Sequence, residues 1–285
     1  MMRKKVFIND IPIGDGERIP FIAELGVNHL GSLDRAVEMV DKAIEGGSDF
    51  LKLQTYIAAE RYEKKNPRYE EFTKLLSDWQ LSKDEEAKLW EYANSKKCNL
   101  FTSVYDEKSV DFAVSLGTTA FKIAAFELTN IKLIRKIIKT KLPIIISCGM
   151  TNIDEIKKTT SILEESKSDY ILLHTVSSYP LSEEDSYLNK INLLKDNFNC
   201  PIGHSDHTHG TNIPPLAVAA GAQIIEKHFT VNPKFRLSDN FFSVTSQQVK
   251  KIKFDLEYVY NVMYSPNFEK HDPEKYMRDF KKYSK

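Results

Sequence analysis

The sequence predicts an α/β fold, a (β/α)8 TIM barrel that carries a short N-terminal β-hairpin. Short apolar runs alternate eight times with longer amphipathic stretches. This alternation within about 250 residues matches the strand–helix count of such a barrel. Runs such as PIIIS and YILLHTV are nearly continuous in apolar residues, which is typical of parallel strands covered on both faces. An open doubly wound sheet is the alternative, but no Gly-x-Gly-x-x-Gly turn follows the first strand.

Each element follows from a local pattern, beginning with residues 1–18, which predict a hairpin that plugs the barrel floor. Ser32 and Ser82 stand directly before charged helical patterns and are expected to be N-caps, while Gly46-Gly47 and Gly117 are expected helix stops. The eight barrel strands are predicted at Phe21–Leu25, Phe50–Thr55, Leu100–Val104, Ala120–Ala125, Pro143–Cys148, Tyr170–Val176, Pro201–Ser205 and Ile224–Thr230.

The domain organisation is predicted to be one barrel over residues 1–264, followed by a short polar tail over 265–285. The last helix of the barrel is expected near Ser246–Val262. Residues 57–82 exceed an ordinary strand–helix connection and are predicted to form a lid or rim. The tail is too short for a second domain, although its last residues could form an amphipathic helix against a partner.

Composition and charge exclude several classes of partner. Lys plus Arg and Asp plus Glu both number 40, so the net charge is 0, which disfavours bulk attraction to nucleic acid or anionic lipid. No apolar run approaches the ~18 residues of a membrane span, and the N-terminus lacks a signal-peptide core. The three cysteines, Cys98, Cys148 and Cys200, form no CxxC pair. We therefore expect a reduced, cytoplasmic protein that binds neither nucleic acid nor membrane.

Polar residues cluster where the predicted strands end, which is the face that carries catalytic groups in such barrels. Lys52 and Lys122 lie inside otherwise apolar strands, from which both could point into the barrel mouth. Two ammonium groups near several hydroxyls suit a phosphate or a carboxylate, since each donates hydrogen bonds. The alternative is that each lysine pairs with an interior carboxylate such as Glu24 or Glu226.

His207 and His228 end the last two predicted strands, and adjacent parallel strands would bring both imidazoles within reach of one divalent ion. Asp206 and Glu226 are nearby carboxylates that could orient the imidazoles. Mixed nitrogen and oxygen ligation suits Mn²⁺, Mg²⁺, Fe²⁺ or Zn²⁺, and the residues alone do not choose among them.

With these residues in place, the chain resembles the sialic acid synthase family, whose members condense phosphoenolpyruvate (PEP) with an N-acetylated hexosamine to give a nonulosonic acid. GHSDHT and EKHFT are the most specific motifs and separate this group from other PEP-dependent ulosonic acid synthases. The matching stretches span roughly residues 3–262 and are FIAELGVNHLGSLDRA, DFLKLQTY, FTSVYDEKSVDF, AFKIAAFELTN, PIIISCGM, LLHTVSSYP, GHSDHTHG and IIEKHFT.

The resemblance implies a role for each matching position. It implies metal ligation by His207 and His228, with Mn²⁺ as the expected ion and Mg²⁺ or another divalent ion as alternatives. It implies PEP contacts from Lys52, Thr102, Lys122, Ser147, Ser177 and Ser205. It implies sugar-side or acid–base roles for Glu24, Gln54, Glu127, Tyr179 and Asp239. Among these, Glu24, Glu127 and Tyr179 are the expected catalytic residues.

Four departures from the family pattern bear on activity. Ala125 replaces a usual serine, and bulky Phe126 follows it. The third-strand motif reads Thr102-Ser103-Val104 instead of Thr-Pro-Phe, and Leu237-Ser238 replaces Gly-Pro. Family members typically add a C-terminal antifreeze-like domain, whose arginine reaches across a dimer to the substrate. We expect this chain to lack that domain and to form a homodimer. The missing contact is then supplied by a separate protein, replaced by the tail, or not needed because the acceptor differs.

Three functions are therefore open. The first is a metal-dependent synthase that condenses PEP with N-acetylmannosamine or a 2,4-diacetamido sugar, with C–O cleavage of PEP. The second is a Schiff-base lyase with Lys122 or Lys227 as the amine. The third is a non-catalytic or partner-dependent barrel that binds PEP or a sugar. The intact Lys, Glu and His set favours the first.

Overall fold

Eight parallel strands close into a barrel in which the first and last barrel strands pair with each other. The computed structural model describes residues 4–235, 238–263, 275–278 and 280–281. Strands β1 (Val6–Ile8) and β2 (Ile11–Ile13) form a separate antiparallel hairpin. The barrel strands are β3 (Phe21–Gly26), β4 (Phe50–Thr55), β5 (Asn99–Val104), β6 (Phe121–Ile123), β7 (Ile144–Ser147), β8 (Tyr170–His174), β9 (Ile202–Asp206) and β10 (Ile225–His228). The predicted barrel and hairpin are confirmed.

The described helices are amphipathic segments that follow the strands. They are α1 (Leu33–Glu45), α2 (Tyr69–Trp79), α3 (Lys83–Ser95), α4 (Glu107–Ser115), α5 (Ile131–Ile138), α6 (Ile153–Glu165), α7 (Lys190–Asn197), α8 (Ile213–Ala219), α9 (Ser246–Met263) and α10 (Lys275–Arg278). Both predicted N-caps are confirmed: Ser32 accepts from the Arg35 amide, and Ser82 forms a capping box with Glu85. None of the described helices is long and apolar enough to cross a membrane.

The hairpin fills the amino-terminal end of the barrel. Ile8 and Ile13 are fully buried and join an apolar cluster with inward-facing residues of the barrel strands. The barrel members of that cluster, on the strands or directly before them, are Ile22, Phe50, Phe101, Ala120, Ile145, Ile171, Leu173 and Ile224. The predicted floor plug is confirmed, and the carboxyl ends of the strands remain open.

The long connection between β4 and α3 forms part of the rim at that open end. It contains a short 3₁₀ turn at Ala58–Glu60 and helix α2. Leu76 and Trp79 of α2 face the central cavity, so this segment is a rim element as predicted. Most of the predicted tail at 265–285 and Leu237 lie outside the described residues.

Candidate functional site

A cavity of about 480 Å³ opens at the carboxyl ends of the barrel strands. Inward-facing residues of all eight barrel strands or their following loops converge there, because side chains alternate between the two faces of each strand. The predicted site residues that line it are Glu24, Lys52, Gln54, Lys122, Ser147, Tyr179, Ser205, His207, His228 and Asp239. A barrel mouth lined by so many polar groups is a default ligand-binding site.

Lys52 is the centre of the charged floor of this cavity. Its Nζ lies 2.7 Å from Glu24 Oε2, 3.5 Å from Glu226 Oε2 and 2.9 Å from Ser103 Oγ. Burial disfavours the ammonium, but the two carboxylates outweigh that cost and raise the pKa of Lys52. The lysine is therefore charged at neutral pH.

Lys122 lies on the other side of Glu226. Its Nζ donates to Ser147 Oγ at 2.6 Å and lies 4.0 Å from Glu226 Oε1, which also accepts from Ser205 Oγ at 2.8 Å. Burial lowers the pKa of Lys122 to about 8. Burial opposes the charge of Glu226, yet Lys52 and Lys122 hold its pKa below the usual value. One carboxylate thus lies between two ammonium groups, each of which also contacts a serine hydroxyl.

The pKa of Glu24 is shifted in the opposite direction from that of Glu226. Its Oε1 accepts from Gln54 Nε2 at 2.8 Å, and burial raises its pKa to about 7 despite the opposing effect of Lys52. A carboxyl group with a pKa near the working pH is suited to general acid or base catalysis.

The two predicted metal-ligating histidines face each other at the cavity mouth, with ring centroids 5.6 Å apart. His207 Nδ1 lies 2.9 Å from the Val176 carbonyl oxygen, so Nδ1 carries the proton and Nε2 keeps a free lone pair. His228 Nδ1 is buried without a hydrogen-bond partner, and Asp239 Oδ2 lies 3.6 Å away. Burial lowers the pKa of His207 to about 4 and that of His228 well below its usual value.

The imidazole nitrogens of His207 and His228 are suited to bind a divalent ion. Both imidazoles are neutral near pH 7, which is the form that binds a metal, and the unpartnered His228 nitrogen gains a partner when an ion is present. Within the described ranges, no group of three or more His, Cys, Asp or Glu side chains is placed to hold a metal. The protein can therefore supply an incomplete set of ligands, with oxygens of substrate or water as the remainder.

Tyr179 and Asp239 flank the histidine pair. The Tyr179 ring centroid lies 4.3 Å from that of His207, and burial raises the pKa of its phenol. Burial also raises the pKa of Asp239 to about 6. Both residues are placed to contact a ligand at the mouth rather than at the floor.

Three predicted residues do not line this cavity. Thr102 points outward from β5, where its Oγ1 lies 2.8 Å from Thr55 Oγ1. Glu127 lies in the turn after β6, and its Oε2 accepts from Asn130 Nδ2 at 2.7 Å. Ser177 lines a neighbouring cavity beside α6 and α7. The prediction that Thr102 contacts PEP is wrong in placement, because strand alternation turns the next residue, Ser103, inward.

Lys227 and Asp206 also face away from the cavity. Lys227 Nζ lies 2.5 Å from Asp206 Oδ2 and 2.6 Å from the Thr208 carbonyl oxygen, and both side chains are fully buried. The hypothesis of Lys227 as a Schiff-base amine is therefore wrong, as is the prediction that Asp206 orients the histidines. Of the two lysines predicted as Schiff-base amines, Lys122 is the one that lines the cavity.

Sequence reasoning missed Ser103, Tyr105 and Arg61, which all line the cavity. The alternation of β5 was a usable signal for Ser103, since Phe101 two residues earlier belongs to the barrel floor. Tyr105 and Arg61 lie in loops, where no periodicity indicates the direction of a side chain.

Comparison with known proteins adds relatives to this geometry. A model described as the NeuB family matches residues 39–266. An N,N'-diacetyllegionaminic acid synthase from Legionella pneumophila is 37% identical over 261 residues, which cover 86% of this chain and 73% of that protein. A pseudaminic acid synthase from Campylobacter jejuni is 33% identical over 252 residues, covering 82% of this chain and 71% of that protein.

Among solved structures, an N-acetylneuraminic acid (sialic acid) synthetase from Leptospira borgpetersenii in complex with citrate is similar over nearly the whole barrel. Its TM-score is 0.93 at 32% identity, with 98% of this chain and 96% of that chain covered. These matches confirm the resemblance that the motifs indicate.

Proposed function

Because the chain belongs to the NeuB family, we propose that it condenses PEP with an N-acetylhexosamine-type aldose to give a nonulosonic acid and phosphate. N-acetylmannosamine and the 2,4-diacetamido sugars are the acceptors of this class. The observation that carries the proposal is the pair of buried ammonium groups, Lys52 and Lys122, on either side of Glu226. We also propose that the reaction needs a divalent metal, with Mn²⁺ expected.

The floor offers the donors that a trianionic substrate needs. Lys52 and Lys122 can each donate to phosphate or carboxylate oxygens, and the hydroxyls of Ser103, Ser147 and Ser205 surround them. Ala125 offers no hydroxyl, so the two lysines carry more of the binding than they would beside a further serine. Fixed donors also orient PEP, which lowers the entropic part of the barrier.

The proposed reaction forms one carbon–carbon bond and breaks one carbon–oxygen bond. Carbon 3 of PEP attacks the aldehyde carbon of the open-chain sugar, and the carbonyl oxygen takes a proton to become a hydroxyl. Water adds to the resulting cationic carbon 2 and gives up a proton, which balances the proton taken by the sugar oxygen. The tetrahedral intermediate then releases phosphate together with its bridging oxygen, and the new hydroxyl at carbon 2 becomes the carbonyl group of the product. In this proposal the negative charge of Glu226, between Lys52 and Lys122, stabilises the cation at carbon 2.

Glu24 is the group best suited to move protons in these steps. Its pKa of about 7 lets it give or accept a proton at neutral pH, and Gln54 and Lys52 fix the orientation of its carboxyl group. Glu127 faces Asn130 and does not line the cavity, so a direct role for it would require the turn after β6 to move.

His207 and His228 would hold the metal, and Asp239 is the nearest carboxylate to that pair. A divalent ion bound there would act as a Lewis acid that polarises the aldehyde oxygen. The Val176 carbonyl fixes the tautomer of His207 and directs its Nε2 into the cavity.

A Schiff-base lyase is the second enzymatic candidate, since Lys122 lies in the cavity and burial lowers its pKa to about 8. Sodium borohydride in the presence of pyruvate would then add a stable mass to the protein, and Lys122→Met would abolish that mass. The synthase forms no imine, so the same treatment should leave the mass unchanged.

Phosphate release from PEP tests the synthase directly. We expect release with Mn²⁺ and one sugar of a panel containing N-acetylmannosamine, 2,4-diacetamido hexoses, mannose and their phosphates. EDTA should stop it, and mass spectrometry should show a product of sugar plus pyruvate. The absence of turnover with every sugar, despite binding of Mn²⁺ and PEP, would contradict a stand-alone synthase and favour a partner-dependent or non-catalytic barrel.

A further inference from the structure

Arg61 is a cation at the rim of the cavity that the reaction above does not use. It follows the 3₁₀ turn Ala58–Glu60 in the connection between β4 and α3, and it lines the same cavity as Lys52 and Lys122. Its guanidinium carbon lies 3.2 Å from the centroid of the Tyr105 ring, so the two planar groups are in contact. Such stacking limits the motion of the guanidinium and leaves its N–H edges available to a ligand.

No anion compensates this charge in the described part of the chain. Arg61 forms no ion pair with any described carboxylate, and its Nε is buried without a hydrogen-bond partner. Two other cations of the same connection do have ion-pair partners: Lys65 lies 2.6 Å from Glu63, and Arg68 lies 2.7 Å from Glu71. A buried donor on a charged group without a partner is costly, and a bound anion removes that cost.

The position of Arg61 separates it from the charged floor. Arg61 stacks on Tyr105 in the loop after β5, whereas Lys52 lies within strand β4. Both cations act to lower the pKa of the Tyr105 phenol, which burial raises overall. The same rim segment contributes Tyr62, Phe72 and Leu76 to the cavity wall beside Arg61. An anion bound to Arg61 is therefore carried by a ligand that extends along an apolar wall toward the rim.

We propose that Arg61 binds an oxyanion, a phosphate or a carboxylate, carried by the acceptor sugar at the end away from its aldehyde. This inference rests on the proposed condensation and specifies its acceptor as an acidic or phosphorylated aldose. In the proposed reaction, Lys52 and Lys122 already bind the anionic groups of PEP at the floor of the cavity. The guanidinium fork matches two oxygens of a phosphate or a carboxylate, which makes Arg61 a specificity-determining residue.

Equilibrium binding by calorimetry without PEP tests this assignment independently of turnover. The probes are N-acetylmannosamine, N-acetylmannosamine 6-phosphate, N-acetylmannosaminuronic acid and, separately, PEP. In the wild-type protein one charged sugar should bind more tightly than the neutral one. Arg61→Met should weaken the binding of that sugar by roughly 10- to 100-fold, the range for a lost charge-assisted contact, and leave PEP binding within about threefold.

Two further variants serve as controls. Arg68→Met removes a guanidinium from the same rim segment, but one already bonded to Glu71, and it should change no affinity by more than about twofold. Arg61→Lys keeps the charge without the planar fork and should restore part of the lost affinity. Melting temperatures near the wild-type value would show that each variant is folded.

The outcomes separate this inference from the proposed function. The inference is overturned if no charged sugar binds better than the neutral one, or if Arg61→Met weakens PEP binding and not sugar binding. Turnover of neutral sugars that is insensitive to Arg61→Met overturns it too, while leaving the condensation intact. Preferred binding of one charged sugar that depends on Arg61 supports it, and the identity of that sugar distinguishes phosphate from carboxylate.

Discussion

Ser103 and Thr102 are adjacent residues of β5 whose hydroxyls lie on opposite sides of the barrel wall. Ser103 Oγ accepts from Lys52 Nζ inside the cavity, whereas Thr102 Oγ1 meets Thr55 outside it. Both residues are fully or almost fully buried, so their total exposure does not distinguish them. The direction of the side chain decides which hydroxyl a ligand can reach.

Substitution of each hydroxyl tests this difference. Ser103→Ala should weaken PEP binding by about 2- to 10-fold, because one hydrogen-bonding group at the Lys52 ammonium is lost. Thr102→Val should leave PEP binding unchanged and lower only the melting temperature. Calorimetric titration with PEP measures the first effect and thermal unfolding the second. Weaker PEP binding in Thr102→Val alone would contradict the assignment of Ser103 to the site.

At the scale of the elements, Glu86 joins helix α3 to the barrel. The carboxyl group accepts a hydrogen bond from Thr55 Oγ1 on β4, and the side chain is almost fully buried. Burial raises its pKa to about 7, so the folded protein binds this proton more tightly than the unfolded chain does. Burial of this carboxyl group should therefore make stability depend on pH.

The contribution of Glu86 to stability should be complete below its unfolded pKa near 4.5 and decline as pH rises toward 7. The full difference is about 3 kcal/mol at most, at 1.36 kcal/mol per pKa unit. Glu86→Gln keeps the shape of the side chain without the titration, so its free energy of unfolding should vary less across this range. Urea unfolding at pH 5 and pH 7.5 measures it; equal slopes in both proteins would refute the prediction.

The sequence predicts the positions of the strands well and the residues at which they end less well. All eight strands lie where the apolar runs predict, because strands buried on both faces need such runs. The run Ala120–Ala125 ends earlier in the structure, at Ile123, because Ala125–Glu127 turns into a 3₁₀ helix. That turn directs Glu127 toward Asn130, which no local pattern indicates. Strand alternation indicates the direction of a side chain such as Ser103, whereas no such signal exists for loop side chains such as Arg61 and Glu127.

At the scale of the whole molecule, the hairpin and the cavity occupy opposite ends of one barrel. The side chain of Ile8 is fully buried in the apolar cluster at the amino-terminal end of the barrel, whereas its neighbour Phe7 is 55% exposed. Alternation along a three-residue strand thus places one apolar residue in the core and the next in solvent. The two positions form a matched pair for measuring how much the plug stabilises the fold.

Ile8→Ala should lower the free energy of unfolding by about 2–5 kcal/mol, because it leaves a void in a packed cluster. Phe7→Ala should change it by no more than about 0.5 kcal/mol. Binding of PEP to the folded fraction should be unchanged in both variants. The apolar cluster around Ile8 lies at the opposite end of the barrel from the lysines and serines proposed to bind PEP. Denaturant unfolding combined with PEP titration measures both quantities. Equal destabilisation by the two variants would show that the hairpin does not plug the barrel.

Pairing of β10 with β3 has a consequence for how the protein is made. A ribosome releases residue 24 long before residue 226, at about 5–20 residues per second. The nascent chain must therefore hold Glu24 and Lys52 without Glu226 or His228 until β10 reaches its place beside β3. Contacts so distant in sequence form slowly. Each new molecule thus closes its barrel and completes its charged floor in the same late event.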